Sequence, residues 1–88
     1  IPNLNKASMT IAHKGKTIYG TLLDETHEPI PNQLIIVRVN GRGVPRATNS
    51  SGEYQYTLKL KRGVKKYVVY ALTTGGEAVS QVLKLRVR

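Results

Sequence analysis

Apolar residues in this chain alternate with polar ones and nowhere recur every three or four positions, which restricts the chain to strands. The cleanest stretch runs from Tyr54 to Lys61, with Tyr54, Tyr56, Leu58 and Leu60 on one face and Gln55, Thr57, Lys59 and Lys61 on the other. The last segment repeats the pattern, Leu83, Leu85 and Val87 opposing Lys84, Arg86 and Arg88. Around Thr17–Asp24, Ile18, Gly20 and Leu22 share a phase, and Leu34–Val39 is a near-continuous apolar run with Ile35, Val37 and Val39 placed inward. Tyr67–Leu72 is rich in β-branched and aromatic residues, which suit a pleated, half-buried surface. No segment carries a helical stripe of useful length. The chain reads as all-β.

Turn chemistry separates the runs. Pro29 and Pro31 hold Glu28–Asn32 extended. Asn40-Gly41 follows an apolar run directly and marks a tight hairpin, because both residues tolerate positive φ. Gly52 closes the Asn49–Gly52 turn, Gly63 lies in Lys61–Val64, and Gly75-Gly76 in Thr73–Glu77. Counting strands at Ala7–His13 and Val44–Thr48, about seven fit, with turns every 8–12 residues or so, the spacing of a sandwich or barrel. The expected core is Ile18, Leu22, Ile35, Val37, Val39, Tyr54, Tyr56, Leu58, Val69, Ala71, Leu83, Leu85 and Val87. At 88 residues and 40% hydrophobic, one domain with one core is expected over residues 7–88, with 1–6 as a linker or entering strand. Opening on Ile1, the chain reads as a piece of a longer protein.

The fragments Gly20-Thr21-Leu22-Leu23-Asp24, Pro29-Ile30-Pro31-Asn32, Ile36–Gly41, Ala47-Thr48-Asn49-Ser50-Ser51-Gly52-Glu53-Tyr54 and Tyr67–Ala71 occur in a characteristic order. Together, over residues 17–88, they resemble the bacterial and archaeal immunoglobulin-like domains found in tandem on surface proteins. Carboxypeptidase-regulatory-like and collagen-adhesin B-type domains share much of that layout. The resemblance implies an immunoglobulin-like antiparallel β-sandwich with Greek-key connections, acting as a non-catalytic spacer or adhesion module. It also implies an extracellular or cell-surface location and neighbouring domains of the same chain as partners. Two features depart from the family pattern: Asn49 stands where an acidic residue is usual, and the net charge is +9. Periodicity is blind to strand order, so a transthyretin-like arrangement and an OB-type barrel stay open beside the sandwich.

The absence of cysteine excludes disulfide frameworks, thiolate metal sites and thiol catalysis. The one local cluster of chemical groups, Asp24-Glu25-Thr26-His27-Glu28, has no second ligand group at motif spacing and reads as a solvated turn in which Asp24 accepts turn amides. No enzyme activity, cofactor or metal is expected, and no run is apolar enough to span a bilayer.

The basic residues are the candidate site. Lys59, Lys61, Arg62, Lys65 and Lys66 crowd one stretch, while Lys84, Arg86 and Arg88 project from one face of the last strand. Arg38, Arg42 and Arg46 flank the Asn40-Gly41 turn. If the two basic strands share a sheet, Lys59 and Lys61 join the C-terminal stripe in one anion-binding patch for polysaccharide, anionic cell-wall polymer or glycan, or nucleic acid. Specific nucleic-acid recognition is not expected, since there is no Phe or Trp to stack on bases and no RNP-type pair. Otherwise the lysines simply keep the strands solvated. Asn49-Ser50-Ser51 fits a glycosylation acceptor at Asn49 in an exposed turn. An exposed edge that accepts a partner strand is a further route to association.

Overall fold

The computed structural model describes residues 6–86, and all of its regular structure is β. The described residues form eight strands: β1 (Ser8–Met9), β2 (Ala12–Lys14), β3 (Thr17–Leu23), β4 (Leu34–Val39), β5 (Arg42–Ala47), β6 (Glu53–Thr57), β7 (Lys66–Thr73) and β8 (Leu83–Arg86). They form two antiparallel sheets. In one, β3 is central, with β1 and β2 along one side and β6 along the other. The other runs β5-β4-β7-β8.

The expected count of seven becomes eight because the first strand is interrupted at Thr10-Ile11. The register does not slip there: Met9 faces Leu22 and Ala12 faces Tyr19, so β1 and β2 are one edge with a gap. At the gap the Thr10 amide still donates to the Thr21 carbonyl at 2.9 Å, but the Thr21 amide donates to the Thr10 hydroxyl instead of its carbonyl. That carbonyl accepts the Tyr54 hydroxyl at 2.6 Å. The edge breaks where a side chain from β6 takes over a ladder acceptor.

Two further boundaries move. The fifth strand starts at Arg42, directly after the Asn40-Gly41 turn, where both residues have positive φ (51° and 85°) as a type I′ hairpin requires. The alternation seen to Lys61 is structured as strand only to Thr57; Leu60 is 48% exposed because the chain has already left the sheet.

The facing sides of the two sheets share one core, so the architecture is sandwich-like. Ile18, Leu22, Tyr54 and Leu58 come from the β3/β6 side and Ile35, Val37, Val69 and Ala71 from the other. Each large aliphatic side chain buried there contributes about 1.5–3 kcal/mol over leaving it in water. Val39, Tyr56, Leu83 and Leu85 are half-buried against this core, and Val87 lies outside the described residues. Met9, Ile30, Tyr67 and Ala78 complete the buried set. Among the described residues no buried side-chain nitrogen or oxygen lacks a hydrogen-bond partner. The Thr48 hydroxyl, for instance, donates to the Ile30 carbonyl at 2.7 Å and accepts the Gln33 amide at 2.8 Å, tying the Pro-rich connection to the end of β5.

The molecule measures 42 × 21 × 17 Å between Cα extremes, with distinct ends. At one end meet the β2–β3 turn, the β4–β5 hairpin, the connection 58–65 and the last residues of β8. Leu58 donates its amide to Lys16 there, and Lys66 faces Arg86. At the opposite end meet the start of β1, the Asp24–Gln33 connection, the Asn49–Gly52 turn and the β7–β8 connection. There Ile30 donates to Leu22, Leu22 to Gly52 and Thr48 to Gln33.

Candidate anion-binding site

The cations expected to form one patch lie at one end of the molecule but do not share a sheet. Lys59 and Lys61 lie past the end of β6, a strand of the β3 sheet, while Lys84 and Arg86 lie on β8 in the β4/β7 sheet, so the four do not form one stripe on a common sheet. The physical reason is that Lys59 and Lys61 ride on the connection 58–65, which leaves the β3 sheet after Thr57 and joins the other sheet at Lys66. Arg88 lies outside the described residues.

Instead the basic residues divide around Leu58. On one side, a groove of about 630 Å³ opens between β5 and the chain leaving β6. Arg42, Arg46, Lys59 and Lys61 line it together with Val39, Val44, Tyr56, Leu58, Val64 and Tyr67, and no carboxylate does. The Arg46 guanidinium carbon lies 5.0 Å from the centroid of the Tyr56 ring, in cation–π range, which anchors that arginine at the rim. Tyr67 is buried, and its hydroxyl accepts the Lys61 amide at 2.8 Å, which fixes the backbone of the opposite rim. On the other side of Leu58, a shallower groove of about 410 Å³ collects His13, Lys16, Lys84 and Arg86 over Leu60 and Leu85.

Lys66 and Arg86 stand directly opposite each other on β7 and β8, and Lys84 faces Val68 on the same outer surface. Like charges in register repel by a few tenths of a kcal/mol. Arg62 and Lys65 are exposed on the connection. Among the described residues the single ion pair is Lys6–Glu25, 3.9 Å apart and largely solvated, so none of the groove cations is neutralised by a carboxylate within that range. The arrangement can hold anionic groups by charge and by hydrogen bonds from lysine and arginine.

The spacing of Lys59 and Lys61 made two of the groove cations visible in the sequence. Arg42 and Arg46 were visible only as neighbours of a turn, and nothing local says that β5 will face the chain after β6. Tyr67 shares the phase of Val69 and Ala71, the signal that marks it as inward.

The acidic turn is built as a hydrogen-bonded loop. Asp24 Oδ1 accepts the Thr26 amide at 2.9 Å, the Thr26 hydroxyl at 2.7 Å and the Glu28 amide at 2.9 Å. The hydroxyl bond from Thr26, followed by the Glu28 amide, holds the Asp24 carboxyl below its ordinary value. Glu77 is lowered similarly, first by its own backbone amide and then by the Thr73 hydroxyl. Among the described residues no three His, Cys, Asp or Glu side chains are grouped to hold a metal ion. Asn49 caps its turn in the same way as Asp24, its Oδ1 accepting the Ser51 and Glu53 amides at 2.8 and 3.0 Å. Both bonds leave its Nδ2 uninvolved, and the residue is exposed. No helix among the described residues is long and apolar enough to cross a membrane. No protein-family model matches the chain, and no curated protein matches it.

Proposed function

We propose that this chain is a non-catalytic, immunoglobulin-like module of a cell-surface or extracellular protein, spacing or presenting neighbouring domains in a tandem array. The observation that carries the reading is the placement of β1 and β8, the first and last strands among the described residues. β1 begins beside Leu23 at one end of the 42 Å axis, and β8 ends beside Lys66 at the other. Linked copies of such a unit extend end to end, and tension along the array runs parallel to the β1–β3 and β7–β8 pairs, loading their hydrogen bonds together.

Support for the Greek-key, immunoglobulin-like form comes from the order β1/β2-β3-β6 against β5-β4-β7-β8, in which the chain changes sheet after β3, after β5 and after β6. Tyr67, at the start of β7, turns its hydroxyl back to the Lys61 amide, a device similar to the tyrosine corner of such sandwiches. The test is small-angle scattering from arrays of one, two and three directly linked copies. The maximum dimension is expected to grow by about the long axis, 42 Å, per copy. Growth near the 21 Å width would mean that copies lie side by side, and the spacer reading would be wrong.

A second reading, an anion-binding module for polysaccharide or nucleic acid, draws on the outer surface where Lys66, Lys84 and Arg86 stand together. It expects a polyanion to shift the amide signals of these three residues at near-physiological salt, and loss of those shifts in Lys84→Glu/Arg86→Glu.

A further inference from the structure

All five carboxylate side chains of the chain lie at one end of the molecule. Asp24, Glu25 and Glu28 occupy the loop after β3, Glu53 opens β6 opposite Thr21, and Glu77 bonds Thr73 at the end of β7. Among the described residues, every Lys and Arg except Lys6 and Arg46 belongs by register or by turn to the other half. Arg46 also leans that way, over Tyr56. Net charge alone describes a uniformly basic protein; the fold makes it a polar one.

We propose that the groove lined by Arg42, Arg46, Lys59 and Lys61 binds the acidic end of a second copy of this chain, through Glu25 and Glu28. Three observations carry the assignment. The groove holds four cations on an apolar floor with no carboxylate of its own, so it complements a carboxylate-bearing loop. That loop is preorganised, since Asp24 is committed to three hydrogen bonds within it while Glu25 and Glu28 remain exposed, so docking orders little. Direction matches as well: β1 begins at the acidic end and β8 finishes at the basic end, so copies that follow one another end to end meet with opposite charge. A contact between two different surfaces leaves one groove and one acidic end free on every pair. Copies then add head to tail, as a ring where the rotation closes and as an open line where it does not.

Range decides whether the net charge of +9 prevents this contact. At 0.15 M salt the screening length is about 8 Å, short against the 42 Å axis, so each contact sees the local charge of the two ends that meet. At 0.01 M it is about 30 Å, and repulsion between whole molecules reaches the contact. Association is therefore strongest at intermediate salt.

The inference goes beyond the spacer reading and is tested on separate, unlinked chains. The chain contains no cysteine, so Ser8→Cys gives one nitroxide site beside the acidic end. Mixed with an isotope-labelled copy, the nitroxide is expected to broaden amide signals around Arg42, Lys59 and Lys61 at 0.15 M salt, less at 0.01 M and least at 1 M. Charge reversal in one partner, Glu25→Lys/Glu28→Lys in the nitroxide copy or Lys59→Glu/Lys61→Glu in the labelled copy, is expected to weaken the effect about tenfold. Combining the two reversed partners is expected to restore it. Broadening spread evenly over the surface, or no recovery in the charge-swapped mixture, overturns the proposal. So does a groove that a sulfated glycan shifts at 0.15 M salt while a second copy leaves it unbroadened. Arrays that fail to lengthen sink the spacer reading and leave this contact standing; unlinked chains without localised broadening do the reverse.

Discussion

Gly20 lies inside β3 at a point where a side chain has no room. A Cβ there would collide with the Thr10 carbonyl and come within 2.6 Å of the Tyr54 hydroxyl, the two groups whose hydrogen bond joins β6 to the first edge strand. Burial also pushes the Tyr54 phenol well above its ordinary value, so it stays a donor across the working pH range. Tyr54→Phe leaves the Thr10 carbonyl without that partner and is expected to cost about 1–3 kcal/mol. Gly20→Ala is expected to cost a similar amount, about 1–3 kcal/mol, by forcing the strands apart. Urea denaturation measures both, and an unchanged midpoint in Tyr54→Phe would show that the bond contributes nothing. Asp24 makes a second residue-scale prediction. Its folded pKa lies below the unfolded one, so its contribution is present above the unfolded pKa and is lost as pH falls through the folded one. The urea midpoint is therefore expected to drop as pH falls from about 5 toward 2, and less steeply in Asp24→Asn, whose remaining amide oxygen still accepts. Equal slopes would remove Asp24 from the acid transition.

At the scale of elements, β5 shows how an edge is kept from recruiting another strand. The two-residue Asn40-Gly41 loop makes Val39 and Arg42 a hydrogen-bonded pair, so alternate β5 residues turn their backbone groups outward. Pro45, opposite Ile36, falls in the outward set and has no amide hydrogen to offer. Its outward side chain joins Ile36 and Leu72 in one row, with Val79 bridged to Leu72 at 56% exposed, an apolar stretch where strand pairing would otherwise be favoured. Pro45→Val restores an amide to that edge. Concentration-dependent light scattering is expected to rise while the unfolding midpoint moves little; a variant that stays monomeric would show that Pro45 does not guard the edge. Gly52 fixes another element boundary. With φ at +72° and a Cβ position 2.6 Å from the Pro29 side chain, it lets the turn before β6 fold against the Pro-rich connection.

At the scale of the whole molecule, charge follows topology. The connections after β3 and β7, which carry four of the five acidic residues, and Glu53 at the start of β6 meet at one end because β3, β5 and β7 all finish there. The basic connection 58–65 and the hairpin of Arg42 converge at the other because β4 and β6 finish there. No charged residue needs a sequence neighbour of the same sign to become part of either end. The proposed head-to-tail contact is one that brings these two ends together.

The alternation of Tyr54–Thr57, the phase of Ile18 and Leu22, and the Asn40-Gly41 hairpin were legible in the sequence because each rests on residues a few positions apart, where side-chain phase and backbone sterics act locally. So did the turn role of Asp24, whose partners lie within four residues. The broken first strand was not legible, because its cause is a hydroxyl 44 residues away. Nor was the division of the basic residues into two groups around Leu58. Strand period assigns a side chain to a face but says nothing about which sheet a strand joins, and that choice, made by burial of the shared core, set the groove and the two charged ends.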